Sequence, residues 1–298
     1  MMVRHLAELV DMAKGKGKKL VVAAAEDHVV LKAVSEARKA EIADPVLVGN
    51  REKMEKEAEV MGLDLKDYEI VEAENELEAA KKAVEMVSKG QGDFLMKGKI
   101  KTGDLMRTVL AEEYGLRTGK VMAMVSVFEI PNFDRLLIIS DAGMLIAPTL
   151  EQKVHIIEHS VSVAKVLGIE LPKVAVVGAV EVVNPKMPAT LDAAILSKMN
   201  QRGQIKGCIV DGPFALDNVV SEEAAKHKGI ESPVAGKADI IVTPDIEAGN
   251  ILYKALIFLA GAKVASVILG AKVPVVLTSR ADSDESKLYS IALSSLMT

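Results

Sequence analysis

Ser279 and Arg280 stand between a short apolar run, Pro274-Val275-Val276-Leu277, and an acid-rich segment, Asp282-Ser283-Asp284-Glu285. A guanidinium is a rigid fork of N–H donors that matches two oxygens of a phosphate or a carboxylate. A hydroxyl beside it and carboxylates a few residues on supply a hydrogen-bonding group and proton acceptors. The set suits the binding and reaction of an anionic substrate. The plainer alternative is that Arg280 pairs with Asp282 or Asp284 and helps to cap a helix.

Lys97-Gly98-Lys99-Ile100-Lys101-Thr102-Gly103-Asp104, followed by Arg107, is the most basic turn in the chain. Gly98 and Gly103 have the spacing of a nucleotide-binding P-loop, but Asp104 occupies the position where such a loop needs lysine, so that motif is rejected. What remains is an anion site built from lysines, a Thr102 cap and helical N–H groups, set against a merely solvated basic loop. Asp141, Asp211 and Asp245 each directly follow an apolar run. At the carboxyl ends of parallel strands they would share one edge, although acids are also ordinary turn formers. Cys208, in Gly207-Cys208-Ile209-Val210, reads as a small core residue and not as a nucleophile. His155-Ile156-Ile157-Glu158-His159 has the order of an inverted zinc-protease motif, with both histidines expected on the polar side of a helix; no third ligand of suitable spacing accompanies them, and no metal is expected.

The elements that must position these residues alternate. Leu20 to Ala25 is an apolar strand opening onto Glu26-Asp27-His28, and Val30, Ala33, Val34 and Ala37 make one stripe of a helix over 28–39. Strands at 45–49, 68–71 and 93–96 alternate with helices at 51–61, 74–89 and 105–112. Val121 to Val127 and Leu136 to Ser140 flank a hairpin-like connection, and Thr149 to Gln152 is a capping box for a helix over 150–167. Strands at 174–178, 208–210 and 239–243 then alternate with helices at 191–201, 221–228 and 251–260, and Leu288, Ile291, Ala292 and Ser295 mark a last helix. Such alternation predicts an α/β fold with mainly parallel sheets, right-handed crossovers and helices on both faces.

Composition limits the rest. The 298 residues are 50% hydrophobic but only 3% aromatic, with no Trp, so the cores must be aliphatic, helped by 14 Met. So few aromatics argue against a base-stacking surface, and a net charge of -5 offers no overall attraction to DNA or anionic lipid. One cysteine cannot form an internal disulfide. Met-Met-Val-Arg-His-Leu-Ala-Glu holds no apolar leader, and no apolar run is long enough to span a bilayer, so a soluble cytoplasmic protein is expected.

Ser232-Pro233-Val234-Ala235-Gly236-Lys237-Ala238-Asp239 runs into Pro244-Asp245-Ile246-Glu247-Ala248-Gly249-Asn250-Ile251-Leu252-Tyr253-Lys254; with Ser140-Asp141-Ala142-Gly143-Met144, Asp211-Gly212 and Ser279-Arg280, these motifs resemble, in order, the phosphate acyltransferase family over essentially the whole chain. Within that family of phosphate acetyltransferases and phosphate butyryltransferases the butyryl branch is the better match. Lys97-Gly98 stands before the Thr102 turn, Asp211-Gly212-Pro213-Phe214-Ala215-Leu216-Asp217-Asn218 replaces the acetyl branch's Asp-Gly-Glu, and Ser279-Arg280-Ala281-Asp282-Ser283 replaces its Ser-Arg-Gly-Cys-Ser.

The resemblance implies two three-layer α/β domains, residues 1–140 with 272–298 and residues 141–271, with the active site in the cleft between them. It implies reversible acyl transfer between coenzyme A and inorganic phosphate through a ternary complex, with no permanently bound cofactor or metal, in a homodimer or higher homo-oligomer. Ser279 and Arg280 match the motif serine and arginine, and Arg107 matches a phosphate-side arginine. Lys97, Thr102, Asp141, Asp211, Asp245 and Asn250 complete the expected substrate contacts. The acetyl branch has an aspartate seven residues after the motif serine; Ser286 stands there in this chain, so the general base does not carry over, and Asp282 becomes the first candidate with Asp284 and Glu285 behind it. The rival readings are phosphate acetyltransferase on acetyl-CoA, a metal- and NAD-dependent decarboxylating dehydrogenase, and a non-catalytic acyl-CoA sensor.

Overall fold

The computed structural model describes residues 2–277 and 282–298. In chain order it contains α1 (Ala7–Ala13), β1 (Lys19–Ala23), α2 (His28–Lys39), β2 (Asp44–Gly49), α3 (Arg51–Glu59), β3 (Glu69–Glu72), α4 (Glu76–Ser88), β4 (Phe94–Lys97) and α5 (Thr102–Val109). There follow β5 (Ala123–Glu129), β6 (Leu137–Ser140), α6 (Leu150–Val166), β7 (Lys173–Val177), α7 (Pro188–Gln201), β8 (Ile209–Phe214), α8 (Leu216–Val220), α9 (Glu222–His227), β9 (Ile240–Val242) and α10 (Ile246–Phe258). The chain closes with β10 (Lys263–Leu269), β11 (Val275–Val276) and α11 (Asp284–Leu296).

The chain divides into two compact units, residues 6–120 with 265–298 and residues 1–5 with 121–264. The boundaries expected from the sequence lie at 140/141 and 271/272. The pair β5 and β6 falls instead in the unit of residues 121–264, because β6 pairs in parallel with β9 through Ile138↔Ile240 and Ser140↔Val242.

In the unit of residues 6–120 and 265–298 the strand order is β3-β2-β1-β4-β11-β10, parallel except where β10 meets β11. β1, β2 and β4 are almost wholly buried runs, as parallel strands covered on both faces must be. Two helix groups cover them: α11 with α1 and α2, and α4 with α5. Local chemistry fixes where several helices begin. Asp27 caps α2 by accepting from Val29 N and Val30 N, Asn50 caps α3, and Asn75 caps α4.

The other unit has the order β5-β6-β9-β7-β8, antiparallel only between β5 and β6, so the expected hairpin is present. Alternate residues face opposite ways: Ile139, Ile241, Ala175 and Val177 join Phe128 and Phe214 in a core closed by Leu252, Tyr253 and Leu256 of α10. The capping box of Thr149 and Gln152 opens α6 where the sequence placed it.

Two expectations change. β8 continues through Asp211-Gly212-Pro213, so Asp211 lies within a strand and not beyond its end. His155 and His159 were expected to project to the polar side; His159 is buried, with Nε2 3.0 Å from Val121 O, and His155 Nδ1 accepts from Val121 N at 3.4 Å. Among the described residues no helix is long and apolar enough to cross a membrane.

Candidate active site

β1, β4 and β11 are neighbours in parallel register, with Val22 and Val276 both opposite Met96, so their carboxyl ends finish side by side. A parallel sheet presents its chemistry at that edge. β1 exits into Ala24-Ala25-Glu26-Asp27, β4 into the Lys97 turn, and β11 into Leu277. Ser279 and Arg280, the residues on which the sequence reading turned, lie outside the described residues.

The exits of β1 and β4 are pinned together. Gly98 N donates to Ala23 O at 2.8 Å and Lys99 N to Ala24 O at 2.6 Å. A Cβ at residue 98 would stand 2.0 Å from Ala24 O, which is why the position takes glycine. Lys97 Nζ turns back on this loop, donating to Gly98 O at 3.1 Å and Ile100 O at 3.0 Å. Thr102 is the first residue of α5 and not its cap; the cap position is Lys101, which makes no side-chain cap, so the first N–H groups of that end have no side-chain acceptor among the described residues. Arg107 pairs with Asp104 at 2.9 Å while its side chain stays 78% exposed.

Asp282 is half-buried, and its main-chain oxygen accepts from Lys287 Nζ. Asp284 pairs with Lys32 at 2.5 Å and lies 3.8 Å from Lys287. The hydrogen bond from Lys32, with its charge and that of Lys287, holds the Asp284 carboxyl below the usual carboxylate range. Ser286, where the acetyl branch has its acid, donates its N–H to Ser283 Oγ at 3.1 Å and serves the N-cap of α11.

Glu26 was passed over in the sequence as part of a strand exit. Its side chain is 5% exposed, Oε1 accepts from Asn50 N at 2.8 Å, and Oε2 is buried with no partner. Spacing alone gives no sign of this; the signal that was present is an acid directly after an apolar run, the same signal that singled out Asp141.

In the unit of residues 121–264, β6, β9 and β7 end together through Ser140↔Val242 and Val176↔Val242. Asp141 is 2% exposed and its carboxylate is wrapped by backbone donors. Oδ1 accepts from Gly143 N at 2.9 Å, Met144 N at 3.1 Å and Met124 N at 3.3 Å, and Oδ2 from Leu145 N at 2.8 Å. Burial raises its pKa, against those four hydrogen bonds, which act the other way. Thr243 Oγ1 donates to Asp141 O at 3.0 Å and Asn250 Nδ2 to Ala142 O at 3.1 Å. Asp141 and Asn250 therefore meet at one place, where they shape the 141–145 loop.

Asp245 caps α10 and lines a cavity of about 600 Å³ with Pro148, Met187, Pro188 and the buried Lys153–Asp192 ion pair, 2.6 Å long. Asp211 is apart from them on the outermost strand, accepting from Gly212 N at 2.9 Å and from the hydroxyls of Ser197 and Ser232.

In the unit of residues 6–120 and 265–298, parallel strand ends that carry a lysine turn, a helix N-terminus and the buried Glu26 carboxylate are the frame of an α/β enzyme for anionic substrates. The family model for phosphate acetyl/butaryl transferase matches residues 5–82 and 75–295, and the chain belongs to that family. It is 69% identical to a phosphate acetyltransferase of Thermotoga maritima, over 98% of this chain and 99% of that one. It is 52% identical to a phosphate butyryltransferase of Clostridium acetobutylicum, over 99% of each. Among solved structures, a branched-chain phosphotransacylase from Enterococcus faecalis superposes with a TM-score of 0.81 at 32% identity, covering 94% of this chain and 98% of the other. The protein is a phosphate acyltransferase.

Proposed function

We propose that this chain moves a short acyl group reversibly between coenzyme A and inorganic phosphate. The observation that carries the reading is the adjacency of β4 and β11, with the Lys97 turn leaving one and the chain that bears Ser279-Arg280 leaving the other. In the direction of thioester formation the CoA sulfur forms a bond to the acyl carbonyl carbon, the carbon–oxygen bond to phosphate breaks, and phosphate leaves with the electron pair. Arg280 neutralises charge on the carbonyl oxygen and the leaving phosphate, and Ser279 hydrogen-bonds the reacting groups; Lys97, Arg107 and the open N–H groups at Thr102 hold the phosphate. Removing one well-placed donor of this kind typically costs about 10²–10³ in kcat. Within the unit of residues 121–264, Asp141 and Asn250 hold the 141–145 loop, Asp245 borders the cavity, and Asp211 fixes β8 to its neighbours.

The branch motifs favour the butyryl group. A second reading, acetyl, is favoured by the higher identity to the Thermotoga maritima phosphate acetyltransferase. A pocket distinguishes chains by only about 1–3 kcal/mol per methylene, so both acyl groups should be turned over with different kcat/KM. Steady-state comparison of acetyl-CoA and butyryl-CoA, with phosphate-dependent release of the thiol as readout, tests this. A higher kcat/KM for butyryl-CoA supports the first reading, and a higher value for acetyl-CoA replaces it with the second. No phosphate-dependent release from either removes the proposed function.

A further inference from the structure

We infer that Glu26 is the proton acceptor for the CoA thiol, an inference that rests on the function proposed above. Among the described residues Glu26 Oε2 is the one buried carboxylate oxygen without a hydrogen-bond partner, and no described lysine or arginine forms an ion pair with this carboxylate. A buried acceptor left unmatched is costly, and the fold retains this one at the carboxyl edge of the sheet, between the exit of β1 and the end of β2. Its seat is built. Asn50 N holds Oε1 at 2.8 Å, and a Cβ at Gly49 would fall 2.8 Å from the carboxyl carbon, so the glycine makes room for the group.

The acids first considered as base are engaged: Asp284 is paired with Lys32, and Asp282 and Glu285 each have interactions of their own, while Asp27 beside Glu26 caps α2. A donor brought by the substrate is what Oε2 lacks. The thiol S–H supplies it: the proton passes to Oε2, the sulfur pair forms the carbon–sulfur bond as the carbon–phosphate oxygen bond breaks, and Glu26 returns the proton to the departing phosphate. The reverse reaction uses the same proton in the opposite sense.

Other charged groups on the elements that meet there include Asp27 and His28 at the start of α2, Arg51 at the start of α3 and Lys97 at the end of β4. His28 pairs with Glu57 at 3.3 Å, Arg51 with Glu72 at 3.4 Å, and Lys97 with loop carbonyls. Histidine is the side chain that most often accounts for rate changes near neutral pH, so His28→Gln is the control.

The test is thioester formation from acyl phosphate and CoA by the full chain, as a function of pH. Glu26→Gln keeps an oxygen for Asn50 N and should melt near wild type. Its kcat should fall at least about 100-fold, with KM for CoA within about 3-fold and the acidic limb of the kcat profile gone. Should Glu26→Gln not fold, Glu26→Asp decides, with kcat lowered about 10-fold and the acidic limb retained. Wild-type kcat in the variant that folds, an acidic limb that survives Glu26→Gln, or a limb abolished by His28→Gln overturns the inference. An inactive wild type overturns the proposed function instead.

Discussion

Cys208 and Glu26 are both buried, and they differ in what their surroundings ask of them. Burial pushes the Cys208 thiol up to about 11 from 9.0, against the charge of Lys165, which acts the other way. A neutral thiol is a poor nucleophile, so native protein at pH 8 should react with iodoacetamide far more slowly than urea-unfolded protein, and equal rates would contradict the buried placement. The same shift has a sign in stability. A thiol whose folded pKa is raised contributes stability that is complete below its unfolded value and is lost as pH rises through the folded one. Wild type should therefore lose about 2–3 kcal/mol between pH 9.0 and about 11 relative to Cys208→Ala, measured by urea unfolding. The sequence showed the inert cysteine because a lone thiol in a β-branched run has an obvious core role. It did not show Glu26, because which of a carboxylate's oxygens is left over depends on a backbone N–H 24 positions away, that of Asn50 between β2 and α3.

Elements with their own start signals were readable. α2, α4 and α6 lie within a residue or two of their expected bounds because Asp27, Asn75 and Thr149 cap them through local hydrogen bonds. β10 and α8 were missed: β10 follows Gly261-Ala262 without a strong turn signal, and α8 is a five-residue turn. Asp211 was misplaced because Gly-Pro reads as a strand breaker, whereas β8 carries it at the outer edge of its sheet, where a proline's missing N–H is tolerated. Gly98 ties elements to the site. Gly98→Ala should destabilise by about 1–3 kcal/mol, since the added Cβ would stand 2.0 Å from Ala24 O. Activity should fall more than stability does, because the lysine turn moves with the backbone. An unchanged melting temperature and kcat would show that the β1 and β4 exits are not held together as described.

For the molecule, the homo-oligomer expected from the family resemblance has a candidate surface. Ile251 is 69% exposed, Phe258 64% and Leu259 87%, along and just beyond α10, while the other face of that helix closes the core. Single exposed apolar residues are ordinary, but three large ones on one helix and its cap are the pattern of a surface covered in use. We propose that a second copy of the chain covers it, since a two-fold pairing sets the same apolar stripe against itself. Light scattering after size exclusion should give twice the 31.8 kDa of one chain for wild type, and Phe258→Glu with Leu259→Glu should halve the measured mass while the circular dichroism stays native. A wild-type monomer, or a double variant that remains a dimer, would move the interface away from α10.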